Sequence, residues 1–237
     1  MLEIVDIHTY RGPAHILQGI SLSVNAGEVV CLVGRNGAGK TTTMESIIGL
    51  LPVRAGRIAF HGTEITGLPA HKRARLGMGY APEDCGIFPD LTVAENMMIS
   101  RWLSESSKRS SAADYDIEDR IYEVFPEVRE LTGREGLHLS GGQKKMVAIA
   151  RAMALSPTLL LLDEAFEGLA PVVVARFTEA VNKIKDMGIS LLIAESNLAN
   201  ASRIADRMYA IDRGEIIFHG LPEDALRNDE VMKALRG

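Results

Sequence analysis

"EVVCLVGRNGAGKTT", Glu28 to Thr42, is the stretch that decides the fold. A strand with one wet face alternates apolar and polar residues, whereas "VVCLV" is apolar at every position. It therefore predicts a strand buried on both sides, as in a parallel sheet covered by helices. The glycine-rich turn that follows, "GRNGAGKT" from Gly34 to Thr41, fits G-x-x-x-x-G-K-[ST] throughout and opens a helical pattern running from Gly39 to Leu50. Gly34, Gly37 and Gly39 allow the backbone to curl so that the N–H groups of Gly34, Arg35, Asn36, Gly37, Ala38, Gly39, Lys40, Thr41 and Thr42 can face phosphate oxygens, with the positive end of the helix behind them. Lys40 brings a full charge to the β- and γ-phosphates, and the Thr41 hydroxyl is a candidate ligand for Mg²⁺.

Working outward, "TLLLLDE" (Thr158–Glu164) and "ISLLIAES" (Ile189–Ser196) read as two more doubly buried strands, and with "EVVCLVG" they form the expected centre of the sheet. Helical patterns at Thr92–Leu103, Ile117–Phe125, Gly141–Leu155 and Val172–Met187 supply the alternation of an α/β fold. "ISLSV" puts Ile20, Leu22 and Val24 on one face before a turn at Asn25–Gly27, and "RMYAIDRGEIIFHG" reads as a hairpin turning at Arg213–Gly214. The polar, serine-rich "SESSKRSSAADYD" (Ser104–Asp116) reads as a surface loop or frayed helix end. Asp163 stands at the carboxyl end of an apolar strand, where parallel sheets bind ligands, and is the candidate to hold hydrated Mg²⁺. Glu164 beside it is the candidate general base that polarises an attacking water.

A phosphate loop alone leaves function open. "LSGGQ", Leu139 to Gln143, narrows it, because the chain here resembles the ATP-binding cassette (ABC) ATPases, whose signature is this pentapeptide followed by a helix such as "KKMVAIARAMAL". The resemblance covers essentially the whole chain. It implies a P-loop NTPase of the ABC type: one domain over 1–237, with a catalytic core at about 1–87 and 140–237, an N-terminal antiparallel β region, and a helical insertion at about 88–139. It further implies that two cassettes pack head to tail. Ser140, Gly141, Gly142 and Gln143 of one chain would then meet the ATP held by the phosphate loop of another. Tyr10 falls where the family stacks an aromatic on adenine. Glu83, in "YAPE", occupies the glutamine-loop position near the metal, and "FEGLAP" (Phe166–Pro171) the loop that touches the opposite subunit.

Glu83 followed by "FPDLTVAEN", "EGLAP" and the terminal "LRNDEVMKALRG" looks like the ATPase subunits of branched-chain amino-acid and related amide importers. That likeness implies a second ATPase chain, membrane permeases, an external solute-binding protein, and a place on the cytoplasmic face of the membrane. Two departures stand out. Ser196 occupies the position of the family's switch histidine, and Ala165 replaces the usual proline after the acidic pair. A non-transport cassette that clamps a soluble partner is the alternative. Its DNA-maintenance form would need a long coiled coil between Thr41 and Leu139, for which there is no room.

Composition agrees. Thirty-one acidic against 26 basic residues give a net charge of −5, which offers no global attraction to nucleic acid. Cys31 and Cys85 have no Cys-x-x-Cys spacing. No run reaches the roughly 18 apolar residues of a membrane span, and "MLEIVDIHTY" lacks the basic start and apolar core of a signal peptide.

Overall fold

The apolar runs become the middle of a six-stranded sheet in the structure, a computed structural model that describes residues 1–105 and 113–236. In chain order the elements are β1 (Leu2–Arg11), β2 (Ala14–Val24), β3 (Val29–Val33), α1 (Lys40–Ile48), β4 (Val53–Phe60), β5 (Thr63–Glu64), α2 (Ala70–Arg75), β6 (Met78–Ala81), α3 (Val93–Glu105), α4 (Ala113–Val124) and α5 (Pro126–Glu130). There follow α6 (Gly141–Met153), β7 (Leu159–Asp163), α7 (Pro171–Asp186), β8 (Ser190–Glu195), α8 (Leu198–Ala201), β9 (Arg207–Asp212), β10 (Glu215–Gly220), α9 (Pro222–Arg227) and α10 (Asp229–Arg236). The large sheet runs β10-β9-β3-β8-β7-β6, parallel except for β10, which turns back antiparallel on β9. β3, β8 and β7 are adjacent at its centre, as their doubly apolar sequences require.

Strand geometry divides the core in two. Cys31, Val33, Leu160 and Leu162 face a layer built from α6, α7 and the helices between β6 and α6. Their neighbours Val30, Leu32, Leu159 and Leu161 face α1 and a second, antiparallel sheet of order β2-β1-β4-β5. This is the α/β architecture expected, with its N-terminal antiparallel sheet and helical insertion.

One expectation changes: "ISLSV" is only the end of an eleven-residue strand. β1 and β4, beside it, carry no clean period of two. In β1 the reason is a bulge. Leu2 and Ile4 are buried and so is Ile7, with Asp6 between them at φ 51°, so the alternation slips by one residue. Opposite the bulge lies Gly56, where an added Cβ would stand 2.2 Å from the Asp6 carbonyl oxygen. Residues 106–112 of the serine-rich stretch lie outside the described residues. Among the described residues no helix is long and apolar enough to cross a membrane.

Candidate functional site

The phosphate loop leaves β3 at Gly34 and enters α1 at Lys40. Its glycines serve two different needs. Gly37 and Gly39 adopt φ of 84° and 116°, the left-handed region that other residues avoid. Gly34 is instead a close-approach glycine, since a Cβ there would lie 2.5 Å from the Ile211 carbonyl oxygen. The Ala38 carbonyl accepts the Gly214 N–H at 2.9 Å, and the Gly214 carbonyl accepts the Gln18 N–H at 2.8 Å. The β9–β10 turn, with Arg213 and Gly214 both at positive φ, therefore staples the loop to β2. At Gly214 a side chain would meet the Ile16 carbonyl oxygen at 2.0 Å on top of a φ of 83°. Gly214→Ala is expected to destabilise the fold by about 2 kcal/mol or more, measurable by denaturant unfolding, and to loosen nucleotide binding with it.

Lys40 is 4 % exposed. Its ammonium donates to the carbonyls of Gly34 at 2.7 Å and Arg35 at 3.0 Å and pairs with Glu164 Oε1 at 2.9 Å. Glu164, likewise 4 % exposed in its side chain, sits one residue past β7 with φ 49°. That turn aims its carboxylate back across the sheet end. The Ser196 backbone N–H and hydroxyl both donate to Glu164 Oε2 at 3.2 Å. Ser196 therefore holds Glu164, the residue expected to activate water, instead of simply replacing a histidine that reaches toward phosphate. Ser196→Ala removes one charge-assisted hydrogen bond but keeps the N–H, so turnover should fall about tenfold, equivalent to about 1.4 kcal/mol, with nucleotide affinity nearly unchanged. Steady-state kinetics against binding of a non-cleavable analogue separates the two quantities.

Thr41, Tyr80, Glu83 and Asp163 line an open cavity of about 730 Å³, together with Glu45, Lys145 and Glu167. Asp163 is buried. Its Oδ2 accepts a hydrogen bond from the Tyr80 hydroxyl at 3.4 Å, and its Oδ1 is sealed from solvent with no hydrogen-bond partner among the described residues. Burial pushes the Asp163 carboxyl up to about 6, opposed by the nearby Thr41 hydroxyl and reinforced by the charges of Glu164 and Glu83. An orphaned, buried carboxylate oxygen beside a threonine hydroxyl fits a hard cation. Mg²⁺ characteristically takes one or two protein oxygens and completes its shell with phosphates and water. Among the described residues no group of three or more His, Cys, Asp or Glu side chains is arranged to hold a metal by itself.

The remaining site residues fall elsewhere. Ser140 caps α6: its hydroxyl accepts the Gln143 N–H at 3.4 Å, and Gln143 Oε1 accepts the Ser140 N–H at 3.0 Å. This capping box uses the Gln143 side chain to hold the helix start, leaving the exposed Ser140 and Gly141 to face outward. The Thr42 side chain is buried under Arg11, whose Nε donates to its hydroxyl at 3.2 Å, so of the expected loop residues it contributes its backbone. Tyr10, at the end of β1, is half-exposed and stacks on His15 across the hairpin, with ring centroids 4.3 Å apart. One face of the tyrosine is thereby occupied by this chain.

Three contributors escaped the sequence. Lys145 donates to the Glu164 carbonyl, tying the signature helix to the loop after β7. His15 backs Tyr10, and Glu195 ends β8 directly behind Ser196. Glu195 did carry a signal: it terminates an apolar strand just as Asp163 does on the neighbouring strand.

Comparison with known proteins agrees with this geometry. Residues 17–167 match the ABC transporter family. The chain is 36 % identical over 230 residues to the lipopolysaccharide export system ATP-binding protein LptB of Escherichia coli K12, covering 96 % of this chain and 93 % of that one. It is 33 % identical over 238 residues to the high-affinity branched-chain amino acid transport ATP-binding protein BraG of Pseudomonas aeruginosa, covering both chains completely. The crystal structure of the ADP conformation of MJ1267, an ATP-binding cassette of an ABC transporter, superposes with a TM-score of 0.86 at 28 % identity, covering 100 % of this chain and 98 % of that one. The expected likeness to amino-acid importers is thus present, but a lipopolysaccharide-export ATPase resembles the chain just as strongly. The phosphate loop after β3, the acidic pair at the end of β7 and the capped signature helix, together with these matches, establish that the chain belongs to the ABC transporter family as an ATP-hydrolysing ATP-binding cassette.

Proposed function

We propose that the chain powers a membrane importer of branched-chain amino acids or related small polar solutes by closing, hydrolysing ATP and reopening as half of a two-cassette sandwich. The observation that carries the hydrolytic part is the Lys40–Glu164–Ser196 cluster. A triphosphate in the loop competes with Glu164 for the Lys40 ammonium, so binding hands Lys40 to the β- and γ-phosphates and releases Glu164 toward a water. Glu164 takes a proton from that water as its oxygen bonds to the γ-phosphorus. The bond to the β–γ bridging oxygen breaks, leaving ADP and phosphate. Mg²⁺, held by Thr41 and Asp163 with Glu83 nearby, would supply charge neutralisation on the phosphates. Tyr10 offers its free face to adenine, and Ser140, Gly141 and Gly142 reach the γ-phosphate of the opposing chain.

Coupling to a permease is supported by exposed apolar side chains on α3 and on the segment before it. Phe88 is 46 % exposed, and Met98 and Trp102, one turn apart on α3, are 41 % and 60 % exposed. Phe88 follows directly on the Glu83–Asp84 loop that lines the cavity, so a partner seated there would feel nucleotide-dependent movement. The end-to-end match to BraG supports an amino-acid cargo and, with it, an external solute-binding protein. The match to LptB favours a second reading, lipid export. Purification from native membranes distinguishes them. Copurifying permeases whose ATPase stimulation depends on a soluble solute-binding protein support import, whereas stimulation by lipopolysaccharide would replace it with export. Trp102→Glu should abolish permease copurification while leaving the isolated chain's ATP binding intact.

A further inference from the structure

β8 is buried at every position, and its last residue is an acid. Glu195 is 1 % exposed, and its Oε1 accepts the backbone N–H groups of Ser196 at 3.0 Å and Asn197 at 3.2 Å. Its Oε2 is sealed from solvent without a hydrogen-bond partner among the described residues. Filling space is a poor use of such a group, since an apolar side chain would fill the same volume with nothing left unpaired. What distinguishes the place is its neighbour. The Ser196 N–H that Glu195 holds is shared with Glu164 Oε2 at 3.2 Å, and the Ser196 hydroxyl reaches the same Glu164 oxygen at 3.2 Å. Two carboxyl groups therefore converge on one backbone N–H.

We propose that Glu195 is a positioning residue for ATP hydrolysis: it anchors the Ser196–Asn197 turn from within the sheet and backs Glu164, fixing the direction in which Glu164 meets water. The proposal rests on the reading of Glu164 as general base. Lys40 holds one Glu164 oxygen and Ser196 the other, and Glu195 locks the turn that carries Ser196. Two adjacent anions would repel one another and spoil this arrangement. Burial, and next the charge on Glu164, push the Glu195 carboxyl upward, which favours its uncharged form beside Glu164. Glutamine is likewise uncharged, keeps an acceptor oxygen for the two N–H groups, and puts its amide nitrogen where Oε2 now has no partner.

The test uses the full chain with its native partner cassette and compares Glu195→Ala, Glu195→Gln and Glu195→Asp, with Glu164→Gln as control. Glu195→Ala should lower kcat about 10- to 100-fold, while affinity for a non-cleavable ATP analogue changes less than about threefold. Glu195→Gln should recover most of the turnover that the alanine loses. Glu195→Asp, one methylene shorter, should not. Turnover of Glu195→Ala within about twofold of wild type overturns the proposal, as does parallel loss of kcat and analogue affinity in both the alanine and glutamine variants. If thermal unfolding shows that the alanine variant does not fold, the other pair decides: glutamine at least about tenfold faster than aspartate supports positioning, and equal rates overturn it. Wild-type hydrolysis by Glu164→Gln would sink the general-base reading itself. An inactive Glu164→Gln beside a fully active Glu195→Ala sinks only the role of Glu195.

Discussion

Glu164→Gln is expected to lower kcat by about 10²–10⁴-fold while leaving ATP bound, so that nucleotide accumulates in a stable two-cassette species. The amide keeps the shape of the site and one of its two acceptor oxygens: it can still accept from Lys40 or from Ser196, whose donors lie 2.9 to 3.2 Å from the present carboxylate. What it cannot do is take a proton from water. The consequence is a separation of binding from chemistry, read by single-turnover kinetics and by size-exclusion chromatography with ATP and Mg²⁺. Wild-type turnover in this variant would remove Glu164 from the reaction.

Lys40→Ala should weaken ATP binding and also destabilise the nucleotide-free chain. The second effect follows from the partners of the ammonium, because Lys40 and Glu164 are each 4 % exposed and form a buried ion pair. Removing one member leaves the other charge buried, at a cost of about 3 kcal/mol or more. For a chain of this size that corresponds to a fall in Tm of roughly 6–12 °C. Glu164→Gln should cost less, because Lys40 retains the Gly34 and Arg35 carbonyls at 2.7 and 3.0 Å. The order of the two variants in thermal unfolding is thus the informative quantity. An unchanged Tm for Lys40→Ala would show that the pair contributes nothing to the fold.

Burial on both faces made the centre of the fold legible. β3, β7 and β8, five or six residues each, are built on continuous apolar runs too short for a buried helix, so "VVCLV", "LLLL" and "SLLIA" read as strands covered on both faces. β1 resisted because its bulge at Asp6 breaks the alternation on which strand recognition rests. The chemistry of the site was readable where it is written in consecutive residues, as in the phosphate loop and the Asp163–Glu164 pair. It was unreadable where it depends on register. Tyr10 meets His15 only because the hairpin pairs them, and Glu195 meets Glu164 only because β7 and β8 lie side by side. Ser196 shows the same limit: its place in the chain marks a substituted histidine, but only the folded turn reveals that its N–H and hydroxyl are spent on Glu164.

Enclosure of each ATP by two chains is tested by the structure of Glu164→Gln bound to ATP and Mg²⁺ with its native partner cassette. The Ser140 hydroxyl should then lie at hydrogen-bond distance, about 3 Å, from the γ-phosphate held in the partner's phosphate loop. Ser140 in open solvent, with every nucleotide enclosed by residues of a single chain, would contradict shared enclosure.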